Sequence, residues 1–203
     1  MPLTLYNKKR NFKETAEPLG EIKKSISKLI FVVQRHKASR LHYDFRLELD
    51  GVLKSWAVPK GPSMNPKDKR LAMMVEDHPY DYKDFAGEIP EGNYGAGIVE
   101  IWDSGTYADI ENSQKKEAEK NLRTGLKSGD FKFQLFGKKL KGEFVLVKLK
   151  GKEDNSWLLI KHNDKYAVDS EYNSETHTLK NSPINKWLKE SKKPVKKKAR
   201  SKV

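Results

Sequence analysis

Two histidines and an aspartate stand close together near the start of the chain, spaced as His-x5-His-x-Asp at His36, His42 and Asp44. Imidazole nitrogens and a carboxylate in this combination suit Mn²⁺, Fe²⁺ or Zn²⁺, and three protein ligands leave positions open for water or a substrate. The pattern therefore predicts a divalent-metal site. It does not by itself separate a non-haem iron oxygenase, which uses a similar triad, from a metal site that acts on phosphate.

Cationic side chains follow the predicted metal ligands along the chain. Arg46, Lys60 and Arg70 offer planar or point donors suited to phosphate oxygens, which an oxygenase does not need. His78, within the sequence DHPY, is a candidate proton donor or transition-state hydrogen-bond donor. These residues favour a metal site that binds phosphate.

The stretch 41–49, which carries several of these residues, alternates strictly between apolar and polar side chains. A period of two places successive side chains on opposite faces of a strand, so one face is apolar and the other carries His42, Asp44, Arg46 and Glu48. The alternation alone leaves open whether the polar face is solvated or lies inside a barrel. Because the later cations and His78 need a common target, we expect this face to point into the barrel. Glu48 has no assigned role.

Short strand-like runs separated by turn residues fill the chain between 29 and 162. The runs 41–49 and 52–58 flank Asp50-Gly51, a hairpin signal, and Ser104-Gly105 predicts a second hairpin between 97–103 and 106–110. Apolar residues recur at helical spacing once, over about 113–126. Roughly eight strands with one short helix predict a mainly all-β protein, either an antiparallel barrel or a sandwich. The other predicted strands are 29–34, 70–76, 131–136, 143–149 and 156–162.

The positive charge of the chain lies at its two ends. The net charge of +13 divides into +5 for residues 1–35, +7 for residues 189–203 and +1 for the remainder. A nearly neutral body with cationic arms is typical of a protein that meets a polyanion, although Lys-rich ends also serve solubility. We predict a flexible basic arm over 1–28, a barrel domain over 29–170, and an extension over 171–203 that ends in a disordered Lys-rich tail.

The composition excludes several classes of protein. The chain has no cysteine, which rules out disulfides, thiolate metal sites and cysteine nucleophiles. No apolar run approaches the ~20 residues of a membrane span, and the N-terminus has no hydrophobic signal region. We expect a cytoplasmic, nucleoid-associated protein with no membrane partner.

The same residues belong to longer motifs that resemble the 3′-phosphoesterase domain of bacterial ATP-dependent DNA ligase D. The resemblance covers about residues 29–168, and the leader YNKKRNF with Glu17-Pro18 is similar to the arm that precedes that domain. One departure is Ala86, where the family usually has Glu. The motifs are RHKASRLHYDFRLE (35–48), LKSWAVPKGP (53–62), RLA (70–72), EDHPYDY (76–82), IPEGNYGAG (89–97), WDSGTY (102–107) and WLLIK (157–161).

The resemblance implies a small β-barrel that processes DNA 3′ ends. It implies a phosphodiesterase step that removes a 3′-terminal ribonucleoside and a phosphomonoesterase step that then leaves a 3′-hydroxyl. The implied metal is Mn²⁺, with Co²⁺ or Zn²⁺ as other candidates, held by His36, His42 and Asp44. The remaining implied residues are Arg46, Tyr82 and His78 in catalysis, Arg46, Lys60, Arg70 and His78 on phosphate, and Gln34 and Glu76 as supports of the site.

The chain contains neither the nucleotidyl-transfer lysine motif of a ligase nor a polymerase module. We therefore expect a stand-alone, monomeric enzyme that acts on DNA or RNA/DNA primer-template 3′ ends beside a separate ATP-dependent DNA ligase and an end-binding protein. The alternative is a nucleic-acid-end-binding module that keeps the barrel and has lost catalysis. The intact ligand set and His78 argue against that alternative.

Overall fold

The alternating apolar pattern of the sequence folds into a closed antiparallel barrel in the computed structural model, which describes residues 3–111, 114–151 and 153–191. The barrel strands are β1 (Leu29–Lys37), β2 (Leu41–Leu49), β3 (Val52–Val58), β4 (Arg70–Met74), β7 (Gly97–Ala108), β8 (Asp130–Gly137), β9 (Lys141–Lys148) and β10 (Ser156–Lys161). They follow the order β1-β2-β3-β4-β10-β9-β8-β7, and pairing of β7 with β1 closes the barrel. The predicted mainly all-β barrel of about eight strands is confirmed.

The remaining elements lie outside the barrel wall. β5 (His78–Pro79) pairs with β3, a 3₁₀ helix follows at Tyr80–Asp84, and β6 (Gly87–Ile89) pairs with β7. The predicted helix forms as α2 (Lys115–Ser128). The structure adds two shorter helices that the periodicity did not indicate, α1 (Thr4–Lys8) and α3 (Pro183–Ser191). None of the described helices is long and apolar enough to cross a membrane.

The barrel interior is filled by one alternate set of side chains from each strand, and from β2 it takes the apolar set. Tyr43, Phe45, Leu47 and Leu49 all belong to this core and are at most 2% exposed. The polar residues of β2 consequently lie on the outer wall of the barrel. The expectation that they point into the barrel is wrong, because the large apolar side chains gain more by filling the interior than the polar ones could.

The outer wall at β2 is nevertheless covered. A second apolar cluster joins the wall to the segment around β5 and β6 and to the N-terminal arm. The segment contributes Tyr82, Phe85 and Ile89, and the arm contributes Leu3 and Tyr6. The polar face of β2 is therefore buried between the barrel wall and this cover, where an unpaired polar group costs free energy unless it binds a partner.

Residues 97–108 form one continuous strand, so the predicted hairpin around Ser104-Gly105 is wrong. Residues 98–107 of β7 pair with β1, and Ser104 and Gly105 pair in regular register with Val32 and Phe31. The register shift in this pairing lies away from them, between Val33 and Gln34. A Cβ at Gly105 would lie 2.2 Å from the backbone oxygen of Phe136 on β8. Glycine is needed here for the close approach of two strands, which a sequence pattern does not distinguish from a turn.

Glu48, which had no predicted role, connects the arm to the barrel. Its side chain is fully buried, and its Oε1 accepts hydrogen bonds from the backbone N–H and the hydroxyl of Ser25. Its Oε2 accepts from the N–H of Ile30, and the Lys115 ammonium lies 3.7 Å from Oε1. The carboxylate fixes the point at which the arm enters β1.

The segment after β10 closes one end of the barrel. Ser174 is buried, and its hydroxyl donates to the carbonyl of Pro62. Glu175 accepts from the fully buried guanidinium of Arg35 and from the hydroxyl of Tyr43. This segment lies within the predicted extension 171–203; the predicted tail from Lys192 onward lies outside the described residues.

Candidate active site

The register of β1 against β2 brings the three predicted metal ligands together. His36 pairs directly with His42, and Asp44 follows His42 on the same face of β2. One ligand atom from each of the three residues lies within 4.8 Å of the others. Two neighbouring strands therefore supply a complete two-histidine, one-carboxylate set on the outer wall.

Backbone carbonyls fix the orientation of both imidazole rings. The Nε2 of His36 lies 2.9 Å from the carbonyl oxygen of Gly95, and the Nδ1 of His42 lies 3.0 Å from that of Arg40. Because each carbonyl can only accept, these nitrogens carry the protons. The unprotonated nitrogens, Nδ1 of His36 and Nε2 of His42, each lie 3.6 Å from an oxygen of Asp44. The donor set fits a divalent cation.

Asp44 is ionised despite its burial. Burial opposes ionisation, but opposing effects, of which the charge of the Arg46 guanidinium is the largest, outweigh it and hold the pKa of this carboxyl well below its usual range. Arg46 Nη2 donates to Asp44 Oδ2 over 3.0 Å. The site therefore offers a carboxylate anion beside two imidazoles.

Arg46 is held in place and keeps one donor free. Its Nε donates to Gln34 Oε1 over 2.7 Å, and the Gln34 amide in turn donates to the carbonyls of Tyr82 and Phe85. The Nη1 of Arg46 is buried and has no hydrogen-bond partner among the described residues. Arg46 and the metal-ligand set line the same cavity of about 320 Å³. Because this buried cationic donor lies beside the candidate metal ligands and lacks a partner among the described residues, it suits an anionic ligand such as phosphate.

His78 faces the same cavity as a neutral imidazole. Burial, with the nearby Arg46 and Arg10 guanidiniums, holds the pKa of His78 well below its usual value. Its Nδ1 lies 2.9 Å from the carbonyl oxygen of Glu76, so Nδ1 carries the proton and Nε2 can accept one. That Nε2 lies 3.2 Å from Nη2 of Arg10. In this contact the Arg10 guanidinium is the hydrogen-bond donor and Nε2 of His78 is the acceptor.

Arg10 and Glu17 of the N-terminal arm also line this cavity, and neither was among the predicted site residues. Arg10 pairs with Glu76 at 2.9 Å and with Glu17 at 3.1 Å, and all three side chains are at most 4% exposed. The Tyr82 hydroxyl donates to Glu17 Oε1 over 2.9 Å, while the Tyr82 ring lies 4.8 Å from the Arg46 guanidinium. The only sequence signal for Arg10 and Glu17 was the resemblance of the leader.

Lys60 and Arg70 are not brought together with the other predicted phosphate contacts. Both line a neighbouring cavity of about 380 Å³, beside Tyr43 and Glu175 at the closed end of the barrel. Arg70 Nη2 donates to Asp68 and to the carbonyl of Tyr172. Any phosphate that Lys60 and Arg70 contact would therefore lie in this neighbouring cavity and not in the cavity of Arg46 and His78.

The fold and site together define a β-barrel protein with a two-histidine, one-carboxylate cluster that could hold a metal ion, beside a buried guanidinium. In a comparison with known families, residues 34–148 match the model of the DNA Ligase D 3′-phosphoesterase domain. This chain belongs to that family, whose chemistry is the hydrolysis of phosphoester bonds.

Three relatives are multifunctional non-homologous end joining proteins called LigD. The chain is 50% identical over 167 residues to the one from Pseudomonas aeruginosa, and these residues make up 80% of this chain and 19% of the relative. It is 43% identical over 157 residues to that of Mycolicibacterium smegmatis, covering 77% and 20%. It is 41% identical over 157 residues to that of Mycobacterium tuberculosis, covering 77% and 19%. The chain thus spans about a fifth of the length of these relatives.

Proposed function

We propose that this chain is a metal-dependent phosphoesterase that processes DNA 3′ ends. It removes a 3′-terminal ribonucleoside by phosphodiester hydrolysis and then the remaining 3′-phosphate by phosphomonoester hydrolysis, which leaves a 3′-hydroxyl for repair ligation. The observation that carries the proposal is a single cavity lined by His36, His42, Asp44 and Arg46, in which Nη1 of Arg46 has no hydrogen-bond partner among the described residues. A phosphate bound there would meet a cation and a positioned donor at once.

The proposed cofactor is Mn²⁺, with Co²⁺ or Zn²⁺ as alternatives, held by His36, His42 and Asp44. When bound, the ion supplies a Lewis acid for a non-bridging phosphoryl oxygen and a water of lowered pKa. The carbonyls of Gly95 and Arg40 keep the ligating nitrogens of the two histidines free for it.

The residues around the metal-ligand set act on the phosphoryl group. Arg46 donates from Nη1 to a phosphoryl oxygen while Gln34 and Asp44 hold the other two guanidinium nitrogens. His78, which accepts from Arg10 at Nε2, orients the Arg10 guanidinium toward the substrate or, when that contact opens, takes up a proton. Tyr82 covers the inner side of Arg46 and excludes water from it.

The proposed substrate is a primer-template end of DNA or RNA/DNA. The charge at both ends of the chain suits a nucleic-acid backbone. Lys60 and Arg70, in the neighbouring cavity, are proposed to contact a backbone phosphate of the bound strand away from the reacting one. A separate ATP-dependent DNA ligase and an end-binding protein are the proposed partners, and the chain acts as a monomer.

A primer-template with two 3′-terminal ribonucleotides and a 5′ label tests the proposal. With Mn²⁺ present, we expect the wild type to convert the primer first to a shorter 3′-phosphate product and then to a 3′-hydroxyl product, each resolved on a denaturing gel. His42→Ala removes one ligand and should abolish both steps. His162→Ala is the matched control, because His162 is a partly exposed histidine that pairs with Glu143 and does not line this cavity.

An unchanged 3′ end after incubation with the wild type would overturn the enzymatic proposal. If the same protein still binds the primer-template, the non-catalytic end-binding module becomes the better description.

A further inference from the structure

Tyr94 is a large aromatic residue that the proposed chemistry does not use. It lies in the Gly-rich loop between β6 and β7, lines the cavity of the metal-ligand set, and is 49% exposed. The next residue, Gly95, supplies the carbonyl that holds His36. Two backbone bonds, from the N–H of Asn93 to Pro90 and from the N–H of Ala96 to Asn93, fix the loop. The ring is therefore set at the mouth of the cavity in a defined relation to the ligands.

The surroundings of Tyr94 resemble a nucleobase-stacking site more than a packed core. The ammonium of Lys9 lies 4.3 Å from the centre of the ring and donates to the phenol oxygen, and the Arg10 guanidinium lies 5.4 Å from the ring. An aromatic face flanked by cations is the combination with which proteins hold a base and its backbone.

The N-terminal arm forms the part of the cavity wall beside Tyr94. Arg10 and Glu17 line the cavity with almost completely buried side chains, and Lys9 and Arg10 lie over the ring of Tyr94. A cavity of about 320 Å³ has room for one terminal unit of a strand and not for several nucleotides.

We propose that the ring of Tyr94 stacks on the base of the 3′-terminal nucleoside and thereby positions the nucleoside that leaves in the phosphodiesterase step. This inference rests on the proposed function, and it adds a residue that distinguishes the two substrates. The diester substrate carries a nucleoside on the 3′ side of the reacting phosphate, whereas the 3′-phosphate substrate has no nucleoside there to stack. Tyr94 therefore contributes to the first step and not to the second.

Kinetics on matched substrates tests this assignment. In the presence of Mn²⁺, Tyr94→Leu should raise KM about tenfold for a primer that ends in a ribonucleoside, as expected for the loss of one stacked base. KM for the same primer ending in a 3′-phosphate should stay within twofold. Tyr94→Phe keeps the ring and should retain wild-type KM for both. Tyr166→Leu is the control, because Tyr166 is also partly exposed beside a lysine and does not line this cavity.

A binding measurement makes the test independent of turnover. With 2-aminopurine as the terminal base and no metal added, stacking on Tyr94 should quench the fluorescence on binding, and Tyr94→Leu should lose most of that quenching. Equal effects of Tyr94→Leu on both substrates, or unchanged quenching, would overturn the inference. If the wild type cleaves neither substrate, the proposed function fails, and the fluorescence still decides the role of Tyr94.

Discussion

The Nη2 of Arg10 lies 3.2 Å from the Nε2 of His78, so the N-terminal arm reaches a residue of the candidate site directly. The two residues are separated by 68 positions in the sequence. Arg10 also pairs with Glu17 within the arm and with Glu76, which lies just before β5. The pair with Glu76 connects the arm to the segment that covers the barrel wall. The arm is thus a structural part of the cavity.

Replacing Arg10 should destabilise the fold. Arg10→Ala leaves the buried carboxylates of Glu17 and Glu76 without their shared cation, and we expect the free energy of unfolding to fall by about 3 kcal/mol. Urea denaturation measures the change. Arg123→Ala is the comparison, because the pair of Arg123 with Asp50 is exposed and should contribute less than ~1 kcal/mol. Equal losses in the two variants would contradict the structural role of Arg10.

His78 should make the stability of the protein depend on pH. Its pKa in the folded state is well below the ordinary 6.5, so below that pH the unfolded chain binds a proton that the folded chain does not. The stabilising effect is thus present above pH 6.5 and is lost as the pH falls from there toward the folded-state pKa, by up to ~1.4 kcal/mol per pH unit.

The comparison for this prediction is His78→Asn, whose side chain does not titrate. Unfolding by urea at pH 7 and pH 5 should show a smaller decrease in stability for the variant than for the wild type, whatever its absolute stability. Parallel decreases in both proteins would show that His78 does not cause the dependence.

Metal binding should be measurable as added stability. Mn²⁺ at about 100 times its dissociation constant should raise the free energy of unfolding by about 2.7 kcal/mol, since it binds only the folded site. A chelator should reverse the increase, and Asp44→Asn should abolish it because the charged ligand is lost. Thermal unfolding with and without Mn²⁺ provides the measurement. A full increase in Asp44→Asn would place the metal elsewhere.

Lys60 should influence substrate binding more than the chemical step. It lines the neighbouring cavity and not the one that contains Arg46 and the metal-ligand set. We therefore expect Lys60→Ala to raise KM several-fold with a smaller change in kcat, whereas Arg46→Ala should reduce kcat by a factor on the order of 10² to 10³. Steady-state kinetics on a 3′-phosphate primer separates the two. A loss of kcat in Lys60→Ala as large as that of Arg46→Ala would show that both residues contact the reacting group.

The sequence by itself determined the class of fold and which residues form the candidate metal-ligand set. Strict alternation over 41–49 fixed both the strand and the shared face of His42 and Asp44, because side chains in a strand have a period of two. The Asp50-Gly51 turn was equally predictable from the sequence, since it requires a positive φ at both positions and only a few residue types tolerate one. Such features depend on neighbours in the chain.

Only the tertiary structure decided which side of the barrel carries the site and what completes it. Alternation is the same whether the polar face points inward or outward, and the outcome depended on which set of side chains fills the interior. The meeting of Arg10 with His78, and the separation of Lys60 from Arg46, follow from how the arm and the loops pack across the barrel. Contacts between residues far apart in sequence have no local period, so only the folded chain specifies them.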